Sequence, residues 1–244
     1  MLSNKQRKQI QQLKLKKYRK QRSLFVAEGD KVVQDLIAAK FTAQQLFATK
    51  PYLEIETTQI SKDQMRSITH FSSASPLLGV FHIPPSKKSL PTSFHLVLDQ
   101  IKDPGNLGTL IRLCDWYGLT DLVCSPDSVD AFNPKVIQAS MGSIARVHVH
   151  YVPLKNHLEN VEGPIYFAHT QGQSVYEAAL RPAIGALVLG SESHGISTAL
   201  HSIAHQALTI PKHNQLGEGV ESLNVAVSAA ILVHEIFRFN ATQK

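Results

Sequence analysis

Cysteine, tryptophan and long apolar runs are scarce in this chain of 244 residues, which has two cysteines and one tryptophan. Cys114 and Cys124 lack the paired spacing of a disulfide framework or a zinc site. No apolar run is long enough to cross a bilayer, so we expect a cytosolic protein without a membrane partner. The twelve histidines are scattered, apart from His148 and His150 on one face of an expected strand, and they indicate no metal site.

Acidic residues are absent from positions 1 to 27, which contain nine lysines and arginines. Removing these nine from the 25 basic residues leaves 16 against 19 acidic residues, so the rest of the chain is slightly acidic. A basic arm on a nearly neutral body favours a polyanion such as RNA. The alternative is a solvated helix that only adds solubility, whereas a secretory signal or transit peptide would need a different composition. The candidate phosphate contacts are Lys14, Lys16, Lys17, Arg19, Lys20 and Arg22.

The segment from Phe81 to Ser93, FHIPPSKKSLPTS, has the composition of a linker. We therefore predict two domains, residues 1–84 and residues 92–244. The first domain has helical apolar spacing from Asp30 to Ala39. With short apolar runs at residues 24–28, 45–49 and 77–83, it is predicted to be a small α/β unit that follows the basic arm.

Beyond the linker, short apolar runs alternate with helix signals, which is typical of a parallel α/β sheet. One predicted helix places Leu107, Leu110, Ile111 and Cys114 on one face and ends at Gly118. A second begins where Asn133 precedes a proline. The predicted strands cover residues 95–98, 122–124, 144–149, 165–168, 186–189 and 207–210.

The C-terminal run ESLNVAVSAAILVHEIFRF, from Glu221 to Phe239, joins a polar tetrad to an almost wholly apolar helix. We predict that this helix begins at Ser222 and directs its free N–H groups toward Glu221. Apolar residues cover most of its circumference, so we expect burial on more than one side, including burial by a partner. A capped core helix without chemistry is the alternative.

Three unusual loops follow predicted strands, and ligands of open parallel sheets gather beyond the carboxyl ends of strands. They are DQIKDPGNLGTLIR from Asp99, LGSESHGIS from Leu189 and IPKHNQLGEGVESLN from Ile210. In the first loop we expect Asn106 to cap a helix and Arg112 to bind an anion, unless Arg112 pairs with a nearby aspartate. Neither a dinucleotide-binding GxGxxG nor a phosphate-binding GxxxxGK[ST] is present.

Taken in order, these loops resemble the three motifs of the SpoU branch of the SPOUT RNA methyltransferases, the TrmH family. The matching runs are DPGNLGTLIR, LVLGSESHGIS, and Ile210 and Pro211 followed by ESLNVAVSAAIL. NPKVIQASMGSIARV and the N-terminal KYRKQRSLFVAEGDKVVQDL are also similar to the family. Ser193, where many members have glycine, and a longer loop at residues 212–219 depart from the pattern.

The resemblance implies an S-adenosylmethionine-dependent enzyme that methylates a ribose 2′-hydroxyl of tRNA or rRNA. Arg112 would hold a phosphate and stabilise alkoxide charge, while Asn106 positions the substrate and Glu192 organises the loop lying against Arg112. Ser222 and Asn224 would orient substrate and cofactor around the helix start. The implied cofactor-binding residues are Thr170, Leu189, Gly190, Ile210 and Leu223.

The family fold implies a parallel sheet with a C-terminal trefoil knot, preceded by a small α/β substrate-binding domain, and a homodimer with its site near the subunit boundary. General rules of topology do not predict such a knot. Two alternatives remain open. One is a noncatalytic RNA-binding or ribosome-associated protein with a relic methyltransferase fold, and the other is a methyltransferase that acts on a base.

Overall fold

The structure is a computed structural model that describes residues 2–87, 89–180, 183–213 and 221–241. The helices are α1 (Asn4–Gln12), α2 (Lys16–Arg22), α3 (Asp30–Ala38), α4 (Lys62–Arg66), α5 (Pro104–Trp116), α6 (Pro134–Ser140), α7 (Leu154–Leu158) and α8 (Val225–Ala241). The strands are β1 (Leu24–Glu28), β2 (Ala43–Ala48), β3 (Thr58–Gln59), β4 (Leu77–His82), β5 (His95–Leu98), β6 (Asp121–Cys124), β7 (His148–Tyr151), β8 (Ile165–Ser174), β9 (Ala186–Leu189) and β10 (Gln206–Thr209). No helix in the described ranges combines the length and apolar character that a membrane span requires.

The chain forms two compact units, residues 1–86 with 130–146, and residues 87–129 with 147–244. The sequence-based boundaries at residues 84 and 92 assigned the segment 130–146 to the second domain, whereas in the structure it belongs to the first unit. The segment completes that unit through long-range contacts. Arg19 forms an ion pair of 2.6 Å with Asp130, and the rings of Phe25 and Phe132 lie 4.8 Å apart.

The first unit contains a four-stranded sheet in the order β1-β4-β2-β3. β4 is antiparallel to β1 and β2, and β2 is parallel to β3. The basic arm is not an extended arm, because Ile10 and Leu13 are buried in the same core cluster as Val26 and Phe47. A capping box between Ser3 and Gln6 fixes the start of α1. The N-terminal helices are therefore part of the folded unit.

The second unit contains a six-stranded parallel sheet in the order β10-β8-β9-β5-β6-β7. The predicted α/β class and parallel sheet are confirmed, and β5 and β9 have the predicted bounds. The predicted strand at residues 144–149 is wrong at its start, because a 3₁₀ turn at Ser143–Ala145 follows Gly142, whose φ is +89°. β7 therefore begins at His148.

Helix α5 buries the predicted apolar face and is followed by Gly118 at φ +70°, the left-handed position that suits glycine. Its N-cap is Asp103, whose carboxylate accepts the N–H of Asn106 at 2.8 Å, so the prediction that Asn106 caps the helix is wrong. The predicted start of the last helix is also wrong. α8 begins at Val225, since Asn224 caps it by accepting the N–H groups of Ala226 and Val227.

Candidate active site

The candidate site lies at the carboxyl edge of the parallel sheet, where loops from adjacent strands meet. Asn106 follows β5, Glu192 follows β9, and Asn224 precedes α8. Their side chains form one hydrogen-bonded network. Asn224 donates to Glu192 at 2.6 Å and to the amide oxygen of Asn106 at 2.9 Å, and Asn106 donates to Glu192 at 3.2 Å. Each of the three predicted motifs therefore contributes one residue to the same network.

The network also holds the amino end of α8. The carboxylate of Glu192 accepts the N–H of Val225 at 3.3 Å, and the amide oxygen of Asn224 accepts that of Ala226 at 3.0 Å. These contacts satisfy N–H groups that a helix start leaves free. The positive end of the helix dipole stabilises the negative charge of Glu192. Glu192 and Asn224 are exposed and Asn106 is half-buried, so the network is accessible to a ligand.

Asp99 and Ser197 tie the first two loops together, although sequence reasoning did not select either residue. Asp99 is 3% exposed and accepts the N–H and hydroxyl of Ser197 at 2.7 and 2.5 Å. The amide of Gln100, at φ +57°, donates to the hydroxyl of Ser125 at 2.8 Å. The sequence signal that could have identified Asp99 is its position as a charged residue directly after an apolar strand. This buried carboxylate fixes the loop that carries Asn106.

Gly190 occupies a position without room for a side chain. A Cβ atom there would lie 2.1 Å from the carbonyl carbon of Gly195. Ser191 and Gly195 exchange backbone hydrogen bonds of 3.1 and 2.8 Å, and Gly195 has φ +67°. The loop that carries Glu192 is therefore a tight turn whose close backbone packing requires glycine at position 190.

The residues predicted to bind the cofactor lie on the same sheet edge. Leu189 is buried at the end of β9, and Gly190 and Ile210 are half-buried after β9 and β10. Thr170 is exposed in β8, where its carbonyl accepts the hydroxyl of Thr209 at 3.1 Å. Leu223 is 43% exposed beside the start of α8. The lengthened loop lies largely outside the described residues, which resume at Glu221.

Arg112 and Ser222 are exposed and lie outside the hydrogen-bonded network. Within the described ranges, the guanidinium of Arg112 forms no hydrogen bond or ion pair, so neither Asp103 nor Asp115 neutralises it there. No described contact joins Glu192 to Arg112. The expected role of Glu192 in organising a loop against Arg112 thus stays a prediction, while its contacts with Asn106 and Asn224 are observed.

The basic residues of the N-terminal helices have different environments. Arg19 is 1% exposed and donates to Asp130 and to the carbonyl oxygens of Leu13 and Lys14. It is a structural residue, so its assignment as a phosphate contact is wrong. Arg22 is half-buried, and the predicted contacts that are exposed are Lys14, Lys16, Lys17 and Lys20.

The two cysteines lie in the protein core. Cys114 and Cys124 are fully buried, and burial raises the thiol pKa of both well above its usual value. Such thiols stay protonated and are poor nucleophiles. Among the residues that the structure describes, no group of three or more His, Cys, Asp or Glu side chains could hold a metal ion.

The parallel α/β sheet places the chain in the open-sheet α/β class, whose ligands bind beyond the carboxyl ends of the strands, where the Asn–Glu–Asn network lies. The particular family follows from comparison with known sequences. The model of the SpoU rRNA Methylase family matches residues 93–234, and an MRM3-like substrate binding domain matches residues 4–75. The chain belongs to the SpoU methylase family, which confirms the resemblance seen in its motifs.

Relatives match this chain over nearly its whole length. The 23S rRNA (guanosine(2553)-2′-O)-methyltransferase RlmP of Bacillus subtilis is 28% identical over 243 residues, covering 96% of each chain. A structure described as an RNA methyltransferase of the TrmH family, from Porphyromonas gingivalis, has a TM-score of 0.86 and 34% identity, covering 98% of this chain and 99% of that one. The SpoU methyltransferase AviRb of Streptomyces viridochromogenes, in complex with AdoMet, has a TM-score of 0.84 and 20% identity over 98% and 99% of the two chains, and it shares the fold.

Proposed function

We propose that this protein transfers a methyl group from S-adenosylmethionine to a ribose 2′-hydroxyl of RNA. The observation that carries the proposal is the network of Asn106, Glu192 and Asn224, which joins the three family motifs at one sheet edge. Family membership and relatives that carry this activity in their names support the same reaction. A noncatalytic relic would have no need to retain all three polar residues in contact.

The carboxyl edge of the sheet fits the proposed cofactor. Gly190 allows the tight turn after β9, and Leu189, Ile210 and Leu223 would supply backbone and apolar contacts for an adenine ring. Thr170 adds polar groups on the neighbouring strand. When bound, the sulfonium supplies an already activated methyl group, so the protein has mainly to align the hydroxyl with it.

Arg112 is proposed to hold the phosphate beside the target ribose and to stabilise negative charge that develops on the 2′-oxygen. An arginine stays protonated in proteins, which suits both tasks. Asn106 would position the ribose by hydrogen bonding, and Ser222 with Asn224 would orient the substrate near the start of α8. Arg112, Ser222 and Asn224 are exposed and Asn106 is half-buried, which is compatible with such contacts.

The site is proposed to be completed by a second copy of the chain, in a homodimer with the trefoil knot of the family. Two observations support this. The guanidinium of Arg112 has no partner among the described residues, and Val227 on the first turn of α8 is 47% exposed despite its apolar side chain. A two-fold dimer is the commonest arrangement of identical subunits.

Ribosomal RNA is the substrate that we propose, because RlmP matches this chain from end to end and acts, by its name, on 23S rRNA. We place the reaction in the cytoplasm, where unpaired thiols such as Cys114 and Cys124 remain reduced. Transfer RNA remains the alternative.

The test is methyl transfer from labelled S-adenosylmethionine to RNA extracted from cells that lack this protein. We expect label at a single ribose of 23S rRNA, located by mapping alkali-resistant linkages. Label in transfer RNA would correct the substrate, and label on a base would correct the position of the methyl group. Absence of transfer with intact S-adenosylmethionine binding would refute the proposed reaction.

A further inference from the structure

The first unit contains a cavity of about 380 Å³, which is within the size range of small-ligand sites. Helices α1 and α2 and strands β1, β2 and β4 contribute to its wall. Four glutamines, Gln6, Gln9, Gln44 and Gln45, and one arginine, Arg22, are its polar lining. No carboxylate lines it, so the cavity is positively charged and rich in amide groups.

A β-bulge places two of these glutamines on the same wall. Successive side chains of a regular strand point to opposite faces of the sheet. In β2 the register with β4 shifts between Ala43 and Gln45, so Gln44 is an extra residue. Gln44 and Gln45 consequently both line the cavity. Bulges commonly redirect side chains at functional positions.

Most of the hydrogen-bonding capacity of these amides is unused within the described residues. The side chains of Gln9 and Gln44 have no hydrogen-bond partner there, and Gln45 uses only its oxygen, which accepts from Gln6 at 3.0 Å. Each primary amide presents a donor beside an acceptor. The edges of nucleobases present the same pairs of groups, which is why glutamine and asparagine recognise them.

Hydrogen bonds to neutral groups hold Arg22 in place and leave its positive charge uncompensated among the described residues. Its guanidinium donates to the carbonyl of Gln9 at 3.1 Å and to the side-chain oxygen of Gln12 at 2.6 Å, both neutral acceptors. No carboxylate pairs with it in the described part of the chain. Lys5 and Lys8 are exposed within one turn of Gln9 on α1. Phosphates on either side of the cavity would meet positive charge.

The cavity also has an apolar surface. Leu24 and Val80, on β1 and β4, line it and are 8% and 4% exposed. A flat, partly apolar ligand with a polar edge and flanking negative charge fits this combination. An unpaired nucleotide of RNA has these properties, and specific recognition of RNA usually targets unpaired bases.

We propose that this cavity binds one unpaired nucleobase of the RNA substrate, an inference that rests on the proposed RNA-modifying function. Gln9, Gln44 and Gln45 contact the edge of the base, Leu24 and Val80 contact its face, and Arg22 holds an adjoining phosphate. The small unit then selects an RNA by a base other than the one that is methylated.

Ultraviolet cross-linking with RNA from cells that lack the protein tests the inference directly. We expect mass spectrometry to identify a base linked to a peptide from residues 6–24 or 43–48. Replacement of Gln9 and Gln44 together by alanine should raise the KM for RNA about tenfold, since lost base-edge hydrogen bonds have this effect. Gln34→Ala, an exposed glutamine on α3 outside the cavity, is the matched control and should leave KM unchanged. Unaltered thermal unfolding would show that both variants fold.

The outcomes separate the cavity from the reaction. Active protein with cross-links only outside these segments, or a Gln9 and Gln44 variant with unchanged KM, overturns the cavity inference and leaves the methyltransferase function standing. Failure of the unaltered protein to bind or methylate RNA overturns both. Co-purification of a peptide in the cavity would identify a protein segment as the occupant and would also overturn the inference.

Discussion

The side chain of Asn224 donates a hydrogen bond of 2.6 Å to the carboxylate of Glu192, although 32 residues separate them in the chain. The same asparagine accepts the N–H groups that begin α8. One residue thus links the stability of the last helix to the geometry of the candidate site, and substitutions can separate the two roles.

Asn224→Ala should lower both stability and methyl transfer. Loss of the N-cap costs about 1 kcal/mol of unfolding free energy, measured by urea denaturation. Asn224→Ser keeps a capping oxygen but removes the amide that donates to Glu192 and Asn106, so we expect restored stability with methyl transfer still impaired. A serine variant with full activity would show that these donated hydrogen bonds do not matter for the reaction.

Arg112→Ala should reduce methyl transfer by about 100-fold or more, the usual effect of removing a group that stabilises transition-state charge. The thermal unfolding temperature should not change, because the side chain is exposed and has no polar partner in the described ranges. Arg112→Lys keeps the charge without the planar fork and should be intermediate. An active alanine variant would remove Arg112 from the mechanism.

Mixing two inactive variants tests whether Arg112 serves the site of the other subunit. An equal mixture of Arg112→Ala and Asn224→Ala dimers, after subunit exchange, should recover up to about a quarter of the original activity, because half the dimers are mixed and each has one intact site. No recovery after verified exchange would place both residues in the site of a single chain.

Replacing the exposed lysines of the N-terminal helices should weaken RNA binding in a salt-dependent way. Lys16→Gln and Lys20→Gln should each reduce the slope of log K against log salt concentration by about 1, measured by titration at several salt concentrations. Lys62→Gln, on α4, is the control for loss of one exposed charge. Equal slopes for all variants would argue against phosphate contacts by these helices.

Arg19→Gln should behave differently from the lysine variants, because it breaks a buried ion pair and leaves Asp130 without its partner. We expect a loss of about 3 kcal/mol in unfolding free energy, with reduced RNA binding only as a consequence of unfolding. Deletion of residues 1–22 would disrupt the same core, so charge substitutions are the cleaner test. A stable Arg19→Gln protein would mean that the ion pair contributes little.

Stability should fall as the pH is lowered from about 7 to 4. Burial lowers the pKa of His157 to about 4 and also lowers the pKa of His95. The Nε2 atoms of the two rings are hydrogen-bonded at 2.8 Å. Between pH 6.5 and 4 the unfolded chain binds a proton that folded His157 does not, so folding is favoured at the higher pH. His157→Gln should reduce the pH dependence of the unfolding free energy, measured by urea denaturation, by the equivalent of about one bound proton over this interval. An unchanged slope would contradict the assigned cause.

The sequence predicted the parallel sheet well because its strands are short apolar runs between polar turns, as at β5 and β9. It was less successful where two local patterns compete. Glu221 and Ser222 resemble a helix start, yet the side chain that caps α8 is Asn224. Asn106 likewise resembles a cap, although Asp103 precedes a proline that suits the first helical position.

Contacts between residues that are far apart in the chain could not be predicted from the sequence. Arg19 lies in a run of basic residues, and nothing in that run indicates an aspartate 111 residues away. Convergence of three strand-end loops could be expected from general rules of α/β sheets, but the hydrogen bonds among Asn106, Glu192 and Asn224 depend on side-chain geometry.

The inclusion of residues 130–146 in the first unit has a consequence for synthesis of the chain. A ribosome releases the amino terminus first, and domains often fold as they emerge. Here Asp130 and Phe132, the partners of Arg19 and Phe25, are translated only after residues 87–129 of the second unit. All the residues that form the core of the first unit are therefore present only after the middle of the chain has been translated.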